Sequence, residues 1–176
     1  MKVYRSSEGR KFPKTVVTVG VFDGLHLGHR EILKKLKEKA RELNAQTAVF
    51  TMFPHPKTVL RGKEEKCLMT QEEKIRAFEK AGTEHLIIYP FNREFASLTA
   101  YRFTEEILFK QLNTQCLVVG YDHRFGSDRL GDLDVLNSYA RNFGFHAVQA
   151  DKYTEDGVTV SSSVIRQLLS EGNIVS

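Results

Sequence analysis

The stretch Val16-Val-Thr-Val-Gly-Val-Phe-Asp-Gly-Leu-His-Leu-Gly-His29 joins a run of β-branched residues to a helical pattern. The valines before Gly20 predict a buried strand that ends at this glycine. Apolar residues then recur at helical spacing between Gly28 and Leu43, at Ile32, Leu33, Leu36, Ala40 and Leu43. A strand, a glycine-rich loop and a helix in this order predict the first part of a βαβ unit.

The same alternation of strand and helix continues along the chain. Further strands are predicted by apolar runs near residues 47–52, 85–89, 116–119 and 145–150. Further helices are predicted from Thr70 to Gly82, from 100 to 112, from 132 to 142, and after Ser161–Ser163. We therefore expect an α/β fold, with a Rossmann-like open parallel sheet of about five strands and helices on both faces.

Length and composition predict one globular domain over residues 1–176. Hydrophobic residues make up 41% of the chain and charged residues 27%, which excludes an intrinsically disordered protein. No apolar run approaches the ~18 residues that span a membrane, and the first residues lack the apolar core of a secretory signal. Cys67 and Cys116 form no CxxC pair, which excludes a disulfide framework and leads us to expect a cytoplasmic protein. The net charge of +4 permits an anionic ligand, and we expect neither a membrane nor a nucleic acid as partner.

The loop Gly20–His29 carries the first candidate ligand site. Ligands of open α/β sheets bind beyond the carboxyl ends of the strands, where we expect the loops 20–29, 53–66, 90–99, 120–131 and 151–163. Glycines allow close backbone approach, the N–H groups of a helix N-terminus favour phosphate, and His26 and His29 add donors, two each when protonated. The spacing is neither GxGxxG nor a P-loop. The alternatives are a glycine-rich turn with two surface histidines, and a zinc site, for which two ligands are too few.

The segment Ser161-Ser-Ser-Val-Ile-Arg166 carries the second candidate site. It places three hydroxyl groups at a predicted helix N-terminus and a guanidinium one turn further on. The alternative is that a serine caps the helix and Arg166 is a surface charge. Two anion sites at the same sheet edge predict a polyphosphate ligand.

His26-Leu-Gly-His29 and Ser161-Ser-Ser-Val-Ile-Arg166 resemble the HxGH and SSTxxR signatures of the α/β nucleotidylyltransferases. Within that superfamily the chain is similar to the FMN adenylyltransferase (FAD synthetase) module of the bacterial riboflavin kinase/FAD synthetase family. The further strings that carry the resemblance are Gly20-x-Phe-Asp-Gly24, Pro54-His-Pro56, Phe95-Ala-x-Leu-Thr99, Gly120-Tyr-Asp-x-Arg-Phe-Gly126 and Gly131-Asp132. They run in the family's order from about residue 15 to 173.

The resemblance implies a Mg²⁺-dependent transfer of AMP from ATP to FMN, which gives FAD and pyrophosphate by direct in-line attack. The catalytic residues that it implies are His26, His29, Ser162 and Arg166. The implied ATP-binding residues are Gly20, Phe22, Asp23, Gly24, Gly28, Ser161 and Ser163. The implied flavin-binding residues are His55, Pro56 and Phe125, and the implied metal ligand is Asp122.

Two alternatives stay open at this point. The first is that the chain is another HxGH nucleotidylyltransferase, which acts on phosphopantetheine, nicotinate mononucleotide or glycerol phosphate. The second is that the chain is a non-catalytic module that binds flavin or nucleotide. In the FMN adenylyltransferase interpretation the partners are the small molecules ATP and FMN. We expect a monomer, but the sequence does not determine the oligomeric state. No riboflavin kinase domain is expected within residues 1–176.

Overall fold

The computed structural model describes residues 1–62, 65–121, 133–155 and 158–172. The strands in these residues are β1 (Lys2–Tyr4), β2 (Thr15–Val19), β3 (Gln46–Phe53), β4 (His85–Pro90), β5 (Thr114–Val119), β6 (His146–Gln149), β7 (Thr154–Glu155) and β8 (Val158–Thr159). The first six form one parallel sheet in the order β1-β4-β3-β2-β5-β6. The last two form a separate antiparallel pair.

The helices mostly begin where the sequence offers a cap. They are α1 (Leu27–Glu42), α2 (Pro56–Arg61), α3 (Gln71–Lys80), α4 (Arg93–Ala96), α5 (Ala100–Phe103) with its π-helical continuation Thr104–Gln111, α6 (Leu133–Asn142) and α7 (Ser162–Ser170). Thr70 and Glu73 form the predicted capping box of α3, and Ser161 caps α7. Within the described residues, no helix combines the length and the apolar character needed to cross a membrane.

Helices cover both faces of the sheet. Alternate strand residues point to opposite sides, so the apolar side chains of the strands lie on both faces and are buried by these helices. On one face α1 and α3 pack against strand residues such as Val16 and Val118. On the other face α5, its π-helical continuation and α6 pack against Val17 and Leu117. The expected α/β fold with helices on both faces is therefore confirmed.

The described sheet has six strands where the sequence predicted about five. The additional strand is β1, which pairs with β4 at the edge of the sheet. A run of three residues beside charged neighbours carries no periodic signal, so only the pairing itself identifies it as a strand.

The chain changes direction across the sheet at β2. From β2 it proceeds through β3 to β4 on one side, and it then returns to place β5 and β6 on the other side. Crossovers of opposite direction leave a crevice at the carboxyl ends of the two strands where they diverge. That crevice lies beyond the ends of β2 and β5.

Candidate functional site

A cavity of about 380 Å³ opens at the carboxyl ends of β2 and β5. Gly20 follows β2 and Gly120 follows β5, and both glycines lie on its wall. Its volume falls within the range of small-molecule sites, roughly 300–1,000 Å³. Eleven of the sequence-predicted site residues line it: Gly20, Phe22, Asp23, His26, Gly28, His29, His55, Ser161, Ser162, Ser163 and Arg166.

The two histidines of the first loop form a stacked pair at the start of α1. The ring centroids of His26 and His29 lie 3.6 Å apart, with an angle of 21° between the ring planes. A Cβ atom on Gly28 would lie 3.3 Å from the His26 ring and 3.3 Å from the carbonyl oxygen of Val160. Glycine at this position therefore lets the histidine pair and the segment before α7 approach each other closely.

His29 is held in an apolar, partly positive environment. The edge of the Phe22 ring packs against it with a centroid distance of 5.1 Å, and its buried Nδ1 has no hydrogen-bond partner among the described residues. Burial, followed by the charges of His26 and Lys74, lowers the pKa of His29 from 6.5 to about 3. The ring is therefore neutral near pH 7 and donates one hydrogen bond, where a protonated ring would donate two.

Asp23 and Arg166 form the polar centre of the site. The Asp23 side chain is only 3% exposed, and its Oδ2 lies 2.5 Å from Nη2 of Arg166. The backbone N–H of Leu68 donates to both oxygens of the carboxylate, at 2.8 and 3.0 Å. Arg166 also donates from Nε to the Lys66 carbonyl at 3.0 Å, and its Nη1 lies 3.6 Å from Glu65 Oε1. The carboxylate that the resemblance assigned to ATP binding thus orients the arginine.

The serines tie α7 to the same loop. Ser161 caps α7 by accepting a hydrogen bond from the Val164 N–H at 3.3 Å. Ser162 Oγ donates to the carbonyl oxygen of Asp23 at 2.7 Å. The N-termini of α1 and α7 are therefore joined at the cavity, and both present partial positive charge there.

The FAD synthetase family model matches residues 9–164 of this chain. The chain belongs to the FAD synthetase family. It is 35% identical over 160 residues to a bifunctional riboflavin kinase/FMN adenylyltransferase of Escherichia coli, covering 90% of this chain and 51% of that protein. It is 33% identical over 172 residues to a putative bifunctional riboflavin kinase/FMN adenylyltransferase of Geobacillus thermodenitrificans, covering 98% of this chain and 92% of that protein.

A solved structure shares the fold of this FAD synthetase family member. It is the crystal structure of a protein described as a macrolide-efflux protein from Streptococcus pneumoniae, with a TM-score of 0.85 and 28% sequence identity. The match covers 97% of this chain and 65% of that one. The chain also spans about half the length, 51%, of the first curated relatives that it matches. The family expected from the two signatures and the Rossmann-like fold are both confirmed.

Four residues expected in a site of the FAD synthetase family are not on the described wall. Asp122 and Phe125 lie outside the described residues. Pro56 is the first residue of α2 and does not line the cavity. Gly24 does not line the cavity, and a Cβ atom on it would lie 2.8 Å from Cδ1 of Leu68. A side chain at position 24 would therefore require the Leu68 side chain to shift, and the φ of +89° also favours glycine there.

Further residues line the cavity that sequence reasoning did not select for this family site: Lys57, Tyr121, Asp151 and Tyr153. Asp151 and Tyr153 lie in the strand-end loop 151–163, so their position after a strand was an available signal. His55 accepts a hydrogen bond from the Lys57 N–H at 3.1 Å, and burial and the Arg166 charge lower its pKa.

Carboxylate groups that could hold a metal ion are sparse among the described residues. The described residues contain no group of three or more His, Cys, Asp or Glu side chains that could hold a metal ion. Mg²⁺ needs only one or two protein carboxylates when phosphates supply further ligands. The exposed Asp151 on the cavity wall meets that smaller requirement.

Proposed function

We propose that this chain transfers AMP from ATP to FMN, giving FAD and pyrophosphate. An oxygen of the FMN phosphate attacks the α-phosphorus, the bond to the bridging oxygen of the β-phosphate breaks, and pyrophosphate leaves with the electron pair. One observation carries the proposal: the stacked histidines, the N-termini of α1 and α7, and Arg166 converge on a single cavity. Such an arrangement of donors and positive charge suits a polyphosphate ligand, and the chain belongs to the FAD synthetase family.

His26 and His29 act as donors to the ATP phosphates in this proposal. Charge shifts toward the leaving pyrophosphate during transfer, so donors that are already in place stabilise the transition state. The low pKa of His29 makes its neutral ring a donor through one nitrogen. Since Nδ1 is buried, Nε2 is the nitrogen that we assign to the phosphate.

Arg166 binds the leaving phosphates, with Ser162 and Ser163 beside it. A guanidinium has five N–H donors. The contacts to Asp23, Lys66 and Glu65 engage three of its nitrogens once each, which leaves donors for phosphate oxygens. Asp23 fixes the orientation of the guanidinium and so takes a supporting role.

The remaining contacts follow the family resemblance. Gly20, Gly28 and Ser161 let the nucleotide lie against the backbone, and His55, Pro56 and Phe125 are proposed to bind the flavin. Asp122 and Asp151 are the candidate carboxylates that would hold a Mg²⁺ ion together with the ATP phosphates, and such an ion would supply neutralisation of phosphate charge. The two unpaired thiols, Cys67 and Cys116, suit the reducing cytoplasm. We also propose that residues 1–176 form a single transferase domain and that the chain acts as a monomer.

The test is to incubate the protein with FMN, ATP and Mg²⁺ and to follow FAD by chromatography. We expect FAD from the wild type, and roughly 10²-fold less from His26→Ala, the scale of one lost transition-state donor. His146→Ala, at an exposed position of β6, is the matched control and should retain wild-type turnover. Absence of FAD above a reaction without enzyme would overturn the proposal.

Two further arms identify the alternatives. Pyrophosphate release with phosphopantetheine or nicotinate mononucleotide and ATP, or with glycerol phosphate and a nucleoside triphosphate, but not with FMN, would indicate another nucleotidylyltransferase. Binding of ATP and FMN without release of pyrophosphate would indicate a non-catalytic module.

A further inference from the structure

Lys74 is the one lysine or arginine that is buried among the described residues, with 5% of its surface exposed. It lies on α3, a helix whose other charged residues are on the surface, such as Arg76 and Lys80. Lysine is almost never buried unless its ammonium group has a partner. The partner of this ammonium group therefore indicates what the residue does.

The Lys74 ammonium donates to the carbonyl oxygen of Val21 at a distance of 2.8 Å. The hydroxyl of Thr51, on β3, donates to the same oxygen at 3.0 Å. Val21 belongs to the segment Gly20–Gly24 and lies on the wall of the cavity. Two buried donors from different elements thus fix one carbonyl of the loop that lines the site.

The fixed carbonyl is one residue from a strained position. Phe22 has a φ of 49°, a left-handed conformation that costs a bulky residue energy and persists only where its surroundings hold it. Its ring packs against Phe78 at 5.5 Å and against His29 at 5.1 Å, measured between centroids. The position of Val21 therefore determines where Phe22 supports the His29 ring.

The charge of Lys74 also acts on the site. It contributes, after burial and His26, to the low pKa of His29. Burial lowers the pKa of Lys74 itself, and the nearby Asp23 carboxylate opposes that shift. The ammonium thus lies within electrostatic reach of a proposed donor and of the carboxylate that orients Arg166.

We propose that Lys74 is a positioning residue of the transfer site, which holds the Gly20–Gly24 loop and, through Phe22, the His29 ring in the geometry required for transfer. It does not contact substrate. This inference rests on the proposed function, and it adds a residue outside the cavity wall to the machinery of that reaction.

If Lys74 only stabilised the fold, its replacement would lower Tm; the positioning role predicts no such loss. Replacement of Lys74 by methionine keeps an unbranched side chain in the same space and leaves the Val21 carbonyl bonded to Thr51. The Val21 carbonyl therefore stays satisfied, and no unsatisfied polar atom is created. The replacement also removes the cost of burying an ammonium group. Lys74→Met should therefore be as stable as the wild type or more stable, while its loop is held less firmly.

The experiment compares the wild type, Lys74→Met and the control Lys80→Met, an exposed position on the same helix. We expect Lys74→Met to lower kcat about 10-fold or more, with KM changing less and Tm unchanged or raised, because small displacements at a reacting centre are costly. Lys80→Met should match the wild type. Wild-type kcat in Lys74→Met, or a loss of kcat that follows a loss of Tm, would overturn the inference.

A second readout separates this inference from the proposed function. The ring resonances of His29 in the NMR spectrum should move in Lys74→Met and stay in place in Lys80→Met, whether or not FAD is formed. If the wild type makes no FAD, the proposed reaction fails, and unchanged His29 resonances would then overturn the positioning role independently.

Discussion

Arg166 and Asp23 lie 143 positions apart in the sequence and form an ion pair with Nη2 2.5 Å from Oδ2. The pair joins α7 to the loop after β2, and both side chains are largely withdrawn from solvent. An ion pair in such a position is costly to break from one side, because the remaining charge has neither its partner nor full hydration.

Asp23→Asn should lower the free energy of unfolding by about 1–3 kcal/mol. The amide keeps the size of the side chain but loses the charge opposite Arg166 and one acceptor for the Leu68 N–H. Urea denaturation at pH 7 measures the change. Glu38→Gln, at an exposed position of α1, is the control and should change stability by less than about 0.5 kcal/mol. Equal effects in the two variants would contradict a structural role for the pair.

Arg166→Lys should lower kcat for FAD formation by roughly 10²-fold. Lysine keeps the positive charge, but a single ammonium cannot maintain the contacts to Asp23 and the Lys66 carbonyl and also bind phosphate. Steady-state kinetics with varied ATP measures the effect. Arg76→Lys, on the exposed side of α3, should have wild-type kinetics. Full activity of Arg166→Lys would show that charge alone suffices.

His29 should make the protein less stable as the pH falls. Its folded pKa of about 3 lies below its ordinary value of 6.5, so its contribution is complete above pH 6.5 and is lost progressively toward pH 3. Between pH 7.5 and 5 the wild type should lose ~2 kcal/mol more than His29→Gln does. Denaturation curves across this pH range measure the difference. Parallel slopes for the wild type and His29→Gln would contradict the low pKa of His29.

Gly24→Ala should destabilise the protein more than Gly9→Ala does. Both glycines have positive φ, +89° and +66°, so alanine is strained at either position. Only at Gly24 would the new methyl group meet an obstacle, Leu68 Cδ1 at 2.8 Å, whereas nothing lies within 4 Å at Gly9. We expect an excess of about 1–3 kcal/mol in thermal or urea unfolding.

The clash at Gly24 can be relieved separately. If contact with Leu68 causes the excess, the double variant Gly24→Ala with Leu68→Ala should recover part of it relative to the sum of the single variants. Additive effects would instead assign the whole loss at Gly24 to backbone strain.

Local signals predicted most of the fold. The helical spacing from Gly28 to Leu43 became α1 (Leu27–Glu42), and the capping box at Thr70 became the start of α3. The strand β1 and the short helices α2 and α4 were not predicted, because segments of three to six residues complete too little of a period to stand out.

The candidate site was only partly predictable, for a different reason. His26, Ser162 and Arg166 carry local motifs, and the carboxyl ends of parallel strands indicate a shared edge. The ion pair of Asp23 with Arg166 and the contact of Lys74 with Val21 join distant parts of the chain. In the sequence, Lys74 looks like one more charged residue on the exposed face of an amphipathic helix. Only its burial in the structure distinguishes it from the other charged residues of α3.

The order of the elements along the chain has a consequence for the time at which the site forms. The last strand of the main sheet ends at Gln149, whereas the segment Ser161–Arg166 follows it by more than ten residues. During synthesis the whole sheet therefore leaves the ribosome before the arginine and the serines do. The sheet can pair its strands first, and the contacts of Ser162 and Arg166 with Asp23 form only when α7 docks.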